Sequence, residues 1–476
     1  MKNMSVEEVH MPIREEILEE LKGIVGKENL CVAKSELYLY SMDVSVRFHK
    51  IPDVVVRPES TEQVAAIVRL ANEYKIPVTP RGAGSGVAGG AVPIKGGIVV
   101  DLTRMDKILE IHPSDLYAVV QAGVVHAKLN EELENYGLFF PPDPGSNKMC
   151  TLGGVVAVGG SGMHAVKYGG TKDYVLGLTV VLPTGEVLRT GGKTLKKATG
   201  YDLTHLFIGS EGTLGIITEV VLKVIPLPKA KAVVSAAFGK LEDAATTVNA
   251  VFREHLLPAA IELLDNSAIR AVNKYQSSLK LPDADAILLF EVDGSETEVR
   301  IQAEAISALC KRNGAFEVNW SDDPEKRTRL WEGRSIVGAA TSRLIEDYAR
   351  VYEGEDITVP ISKVAEAVRG VREISAKYGL PIVTFGHIGD GNLHPAILIN
   401  KKKPEHWKLL EIVTAEIHEL AFSLGGTTTG EHGVGLLRAD YMEKENTPLG
   451  LELMRKIKRV IDPNQIMNPG KLNLGE

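Results

Sequence analysis

Between residues 382 and 399 lie two apolar, β-branched runs, Ile382-Val383-Thr384-Phe385 and Ala396-Ile397-Leu398-Ile399. Gly386-His387-Ile388-Gly389-Asp390-Gly391-Asn392-Leu393-His394 separates them. Runs of this kind predict strands. Asp390-Gly391 predicts a two-residue hairpin turn, because both residues tolerate positive φ. That turn pairs Gly389 with Asn392, Ile388 with Leu393 and His387 with His394. The histidines then face each other on one side of the ladder, with Cβ atoms about 5 Å apart, and can share one metal ion. Downstream, Gly430-Glu431-His432-Gly433 offers a third ligand, Glu431 or His432, with positions left open for substrate as a catalytic metal site requires. Adjacent side chains in irregular backbone diverge, so a carboxylate ligand plus a free imidazole base is the economical assignment. Structural hairpin histidines beside a surface Glu-His pair are the plainer alternative.

At 476 residues the chain is too long for one small core, and two or three domains are expected. Hydrophobic content of 44% and charged content of 24% suit a globular enzyme. A net charge of −8 argues against nucleic acid or anionic membrane as the main partner. Cys31, Cys150 and Cys310 have no Cys-x-x-Cys spacing, which argues against a cysteine-ligated cluster and against a disulfide scaffold. With no apolar targeting segment and no run long enough to cross a bilayer, a cytoplasmic location is expected.

Met1–Val9 is polar and reads as loose. Ile13, Ile17, Leu21, Ile24 and Val25 recur at helical spacing. A βαβ-like rhythm follows: strand Val54-Val55-Val56, a helix opened by a Ser60/Gln63 capping box, strand Ile76–Thr79, strand Ile98–Leu102. Residues 141–227 are rich in glycine and strand. Ile225-Pro226-Leu227-Pro228 reads as a linker. Beyond it, helices near Leu241–Glu254, Thr297–Asn313 and Ser362–Tyr378 alternate with strands such as Ala286–Glu291, predicting an α+β unit with an antiparallel sheet. Leu436–Glu476 reads as helical.

Pro80-Arg81-Gly82-Ala83-Gly84-Ser85-Gly86-Val87-Ala88-Gly89-Gly90 follows a strand and contains the Gly-x-Gly-x-x-Gly dinucleotide fingerprint. That fingerprint should open a helix, which Gly90, Pro93, Gly96 and Gly97 forbid. A long loop whose backbone N–H groups cradle a pyrophosphate is the better reading. Thr151-Leu152-Gly153-Gly154, Gly159-Gly160-Ser161-Gly162, Tyr168-Gly169-Gly170 and Gly209-Ser210-Glu211-Gly212-Thr213-Leu214-Gly215 extend the pattern to a flat dinucleotide.

Together with Pro142-Asp143-Pro144 and the histidine motifs, these segments resemble the FAD-linked oxidases of the vanillyl-alcohol oxidase superfamily. The branch resembled holds D-lactate dehydrogenases, D-2-hydroxyglutarate dehydrogenases and the FAD-linked subunit of glycolate oxidase. The resemblance runs from about Pro52 to Lys471. It implies an α+β chain: an N-terminal helical segment (1–50), a two-subdomain FAD-binding domain (51–227), an α+β cap with an antiparallel sheet (228–429), and a helical C-terminal segment (430–476) that returns to the flavin. The FAD contacts it implies are Arg81, Gly82, Ala83, Gly84, Ser85, Gly86, Pro142, Asp143, Thr151, Gly153, Gly154, Gly159, Ser161, Gly162, Tyr168, Glu211, Gly212, Gly215, Ile216, Ile217 and Asn468. It assigns His387, His394 and Glu431 to a divalent metal (zinc, iron or manganese), His432 to proton abstraction, and Arg334, with Arg329 and Arg343 as competitors, to the substrate carboxylate. Arg81–Gly90 contains no histidine, so non-covalent FAD is expected. Apolar Pro395-Ala396 after the second ligand leans toward a small monocarboxylate.

The chemistry implied is oxidation of a small D-2-hydroxy acid of the lactate or glycolate class. The metal polarises the hydroxyl, an imidazole of unperturbed pKa about 6.5 takes its proton, and hydride passes to flavin N5. An electron-transfer flavoprotein is the expected electron acceptor. A flavin-dependent transferase of the alkyl-glycerone-phosphate synthase type, a zinc-dependent NAD dehydrogenase and a non-enzymatic electron carrier stay open as rivals.

Overall fold

The computed structural model describes residues 13–45 and 47–475; the loose reading of Met1–Val9 lies outside them. The helix Glu15–Val25 buries Ile17, Leu21 and Val25, the stripe its spacing predicts. Its partners are a small sheet ordered Leu30–Cys31, Val54–Val56, Ile98–Asp101, Val78–Arg81. The last three strands are parallel. The helix Thr61–Tyr74 connects two of them and starts at Ser60, whose hydroxyl accepts from the Gln63 N–H. Gln63 itself accepts from the Glu59 N–H rather than from Ser60, so the cap is half of the expected box. No helix follows Val78–Arg81; residues 82–97 are loop.

A second, antiparallel sheet runs Ile108–His112, Tyr117–Gln121, Ile216–Lys223, Val175–Val181, Val187–Gly191. Leu152–Val158 packs on it. Ile225–Pro226, in the segment read as a linker, forms a short antiparallel ladder with Leu138–Phe139.

The third sheet is antiparallel, with eight strands. Its order is Ala315–Ser321, Ala230–Phe238, Ala286–Gly294, Ala260–Asp265, Ile382–His387, Asn392–Ile399, Ala349–Val351, and Ile357–Thr358 pairs with the start of Asn392–Ile399. Both faces are covered. Helices Leu241–Arg253, Glu296–Arg312, Val364–Tyr378 and Pro404–Ser423 enclose a core with Leu288, Phe290, Leu393 and Ile397. Helices Asn266–Tyr275 and Pro324–Ser342 enclose another with Leu289, Val383, Phe385, Ala396 and Leu398. Each valine, leucine, isoleucine or phenylalanine so buried contributes about 1.5–3 kcal/mol. The period of two along the central strands therefore places residues 383, 385 and 387, and residues 394, 396 and 398, on the same face.

The hairpin differs from the two-residue turn. His387 pairs with Asn392 and Phe385 with His394, so residues 388–391 form a four-residue loop. The cause is tertiary. The Asp390 carboxylate accepts from the Asn392 N–H, the Val359 N–H donates to the Gly391 carbonyl, and Gly391 (φ +85) leaves no room for a Cβ, which would fall 1.9 Å from the Val359 carbonyl oxygen. His387 and His394 become diagonal rather than opposed neighbours on one face.

Beyond residue 436, helix is confined mainly to Met442–Glu445 and Pro448–Ile461. The flanking backbone is irregular because it bonds elsewhere: Leu436 and Leu437 N–H donate to the Ala88 carbonyl, and Asn468 N–H to that of Val78.

Candidate active site

A cavity of about 520 Å³ opens between the glycine-rich loop and the face of the eight-stranded sheet that bears the histidines. Arg81, Gly82, Ala83, Gly84, Ser85, Gly86, Asp143, Thr151, Gly153, Gly154, Ser161, Glu211, Gly212, Gly215, Ile216, Ile217 and Asn468 line it. Arg334, His387, His394, Glu431 and His432 complete the wall on the other side. Four of the expected flavin contacts do not line this cavity. The Pro142 carbonyl meets His126 Nε2 at 2.5 Å. Gly159 ends the helix Leu152–Val158 at φ +73. A Cβ on Gly162 would fall 1.8 Å from the Asp143 carbonyl oxygen. The Tyr168 hydroxyl donates to Asp293 at 2.7 Å.

Backbone forms much of the cradle. A side chain at Gly82 would strike Thr151 Oγ1 at 2.1 Å, and Gly84 takes φ +66. The segment before the parallel sheet fixes the loop, a role the sequence did not reveal. Asp43 accepts from the Gly89 N–H at 2.8 Å, the Val44 N–H donates to the Gly86 carbonyl, and Arg81 donates to the Met42 carbonyl. Thr151 Oγ1 and Asn468 Oδ1 are buried without a protein partner. Buried polar atoms call for one, and a polar dinucleotide lying along this wall would supply it; the residues present fit FAD.

The C-terminal segment closes the cavity. Glu211 accepts from the Val434 and Gly435 N–H groups at 2.7 and 2.8 Å. The Asn468 amide donates to the carbonyls of Gly90 and Glu211. Burial pushes the Glu211 carboxyl up, against those two backbone bonds.

At the sheet side, Glu431 Oε1 lies 3.6 Å from the Nε2 atoms of His387, His394 and His432. Donors about 2.0–2.1 Å from a tetrahedral metal stand about 3.4 Å apart, so these residues fit one divalent ion. Asp356, His394, Glu431 and His432 also bring ligand atoms within 4.8 Å of one another. That group takes in His432 and leaves out His387, so geometry places His432 with His394 and Glu431 at least as closely as His387. Exposure separates it: its side chain is 20% accessible, against 8% for His387 and 5% for His394. His394 Nδ1 is buried and unpartnered. Burial and the surrounding cationic groups hold its pKa well down, which keeps the imidazole a neutral donor.

Two buried carboxylates escaped the sequence reading. Glu262, on Ala260–Asp265, accepts from His387 Nδ1 at 2.6 Å and from Arg334 Nε at 2.5 Å. It fixes which ring nitrogen of His387 faces the cavity. Burial alone would lower the His387 pKa, but Glu262 and Glu431 raise it well above the ordinary value. Asp356 underlies the Glu431-His432 loop. The available signal for Glu262 was a charged residue flanked by Ala260, Ile261, Leu263 and Leu264; Asp356 stands in the acidic run Glu353-Gly354-Glu355-Asp356, which carries no such signal. Arg350 was also missed. It lines the cavity, pairs with Glu355, and lies 5.3 Å from the Phe385 ring centroid, as does Arg334. Arg329 and Arg343 are exposed, and Arg343 stacks on Tyr275.

Comparison with known proteins follows the same division. Residues 52–191 match the family described as FAD binding domain, and residues 227–472 match FAD linked oxidases, C-terminal domain. The chain is 39% identical to glycolate oxidase subunit GlcD of Bacillus subtilis over 97% of each chain. It is 38% identical to a D-lactate dehydrogenase of Anaerostipes hadrus, covering 96% of this chain and 97% of that one. A 4-ethylphenol oxidase from Gulosibacter chungangensis shares the fold, with a TM-score of 0.79 at 21% identity over 96% of both chains.

Proposed function

The chain belongs to the FAD-linked oxidase family, and from that premise we propose that it oxidises a small D-2-hydroxy acid, lactate or glycolate in class, to the 2-oxo acid with the help of a divalent metal. It is an FAD-dependent oxidoreductase whose relatives are D-lactate dehydrogenases and glycolate oxidase subunits. When bound, FAD supplies the two-electron acceptor and the metal a Lewis acid for the substrate hydroxyl.

The chain's own residues divide the remaining work. Backbone N–H groups of residues 82–86 hold the pyrophosphate. His387, His394 and Glu431 hold the ion, and Glu262 keeps His387 in register. His432 Nε2, on the most accessible of the three rings, takes the hydroxyl proton. Arg334, bound to Glu262 through Nε alone, supplies a guanidinium fork for the carboxylate, and Arg350, its Nε and Nη2 on Glu355, adds positive charge beside it. The convergence of three imidazoles on one carboxylate oxygen, in the wall of the glycine-lined cavity, carries this reading.

Electrons leave through a partner, with an electron-transfer flavoprotein as our candidate. Cys31, Cys150 and Cys310 are separately buried, and no described helix is long and apolar enough to cross a membrane.

Anaerobic titration tests the proposal. D-lactate or glycolate should bleach the flavin band and L-lactate should not, and elemental analysis should find a stoichiometric divalent ion. A flavin left oxidised by every 2-hydroxy acid overturns the activity. Rapid turnover with oxygen or NAD alone overturns the partner.

A further inference from the structure

Asp356 is fully buried and sits where the strand Ile357–Thr358 begins. Its backbone has φ +105, a value few side-chain-bearing residues adopt. Two backbone bonds hold it there: its N–H donates to the Leu393 carbonyl, and its own carbonyl accepts from the Gly430 N–H.

Its carboxylate accepts four donors, one on Oδ1 and three on Oδ2. Oδ1 accepts from the Asn392 side-chain amide at 2.9 Å. Oδ2 accepts from the Thr429 hydroxyl at 2.5 Å, the Glu431 N–H at 3.1 Å and the His432 N–H at 2.9 Å. His432 Nδ1 lies 3.8 Å from the same oxygen. Arg438, also fully buried, supplies nearby positive charge. It bonds the Gly433, Tyr352 and Glu355 carbonyls rather than the Asp356 carboxylate.

Three of the four donors converge on Oδ2, and two of them are the consecutive peptide N–H groups of Glu431 and His432, which the carboxylate thereby fixes. Two adjacent amides pointing at one oxygen turn the following side chains outward, toward the cavity. Asn392 ties the same carboxylate to the strand that carries His394.

We propose that Asp356 is a positioning residue. Its buried carboxylate holds the backbone of Glu431 and His432 so that both side chains meet the hairpin histidines, and the site's grip on a divalent ion depends on it. This deepens the proposed function and rests on that reading. Partners that orient metal ligands from behind typically set affinity by about 10- to 100-fold.

The test compares purified wild type with Asp356→Asn, using zinc and manganese as probes, competition with a chelator, and flavin content and thermal midpoint recorded in parallel. The asparagine keeps the volume but turns an N–H group toward donors. The expected result is metal affinity weakened about 10- to 100-fold with flavin content near wild type. Wild-type affinity in the variant overturns the proposal and leaves the proposed function standing. Flavin and metal lost in equal measure also overturn it, since the residue would then be a general structural support. A wild type that binds neither ion overturns the metal reading itself, and this proposal with it. Thr429→Val, which removes one donor, keeps the test decisive if the asparagine variant does not fold. Its affinity should fall by a smaller factor and recover in Thr429→Ser; an unchanged affinity in Thr429→Val overturns the proposal.

Discussion

Replacing His164 with glutamine should remove a stabilisation that itself depends on pH. The imidazole bridges two parts of the molecule. Nδ1 lies 3.4 Å from Asp143, in the cavity wall, and Nε2 lies 3.2 Å from Glu291, on the strand Ala286–Gly294. Burial alone would depress its pKa, but hydrogen bonds and charge from the two carboxylates raise it from 6.5 to about 9. At about 1.4 kcal/mol per unit, that difference is worth about 3 kcal/mol. The folded-state pKa lies above the unfolded one, so the stabilisation is complete below pH 6.5 and disappears as pH climbs through 9. Glu291 stays ionised across this window: burial opposes it, yet His164 and Lys231 bring its pKa to about 2. Lys471 acts in the opposite sense. Burial lowers its pKa to about 8, a penalty relieved as pH rises, so the wild-type profile alone is not diagnostic. Urea unfolding of wild type and His164→Gln at pH 6 and pH 10 cancels Lys471. The stability gap should narrow by about 3 kcal/mol between the two. Equal gaps would refute the charge bridge.

Three further outcomes can be checked. His432→Ala should lower kcat by about 10²- to 10⁴-fold while flavin content holds; steady-state assays beside absorbance spectra decide it. Glu262→Gln leaves His387 and Arg334 without their shared anion, and chelator competition should show metal affinity down by about 10- to 100-fold. Gly391→Ala should destabilise by about 1–3 kcal/mol or more, measured by denaturant unfolding, because of its positive φ and the Val359 carbonyl 1.9 Å from the new Cβ.

What the sequence revealed was local, and what it hid was distant. Periodicity located the helices at Leu241–Arg253 and Val364–Tyr378 and the strands of the hairpin, since each is written in its own residues. The glycine-rich loop was legible because so dense a run of glycines, followed by Pro93, Gly96 and Gly97, leaves no room for a helix. Hairpin register was not, because Val359 and Asp390 override the turn preference of an Asp-Gly pair. Glu262 reaches His387 across 125 positions and Asp356 reaches His432 across 76. No window of sequence contains such a pair. Pro142, Gly159, Gly162 and Tyr168 do not line the cavity for a related reason: a motif names a neighbourhood, not which of its members face inward.

The bond from the Asn468 amide to the Gly90 carbonyl spans 378 positions. During synthesis the loop that receives the dinucleotide leaves the ribosome long before the residue that latches it. A chain cut ahead of residue 468 lacks that latch, and its flavin content should fall below that of the full chain.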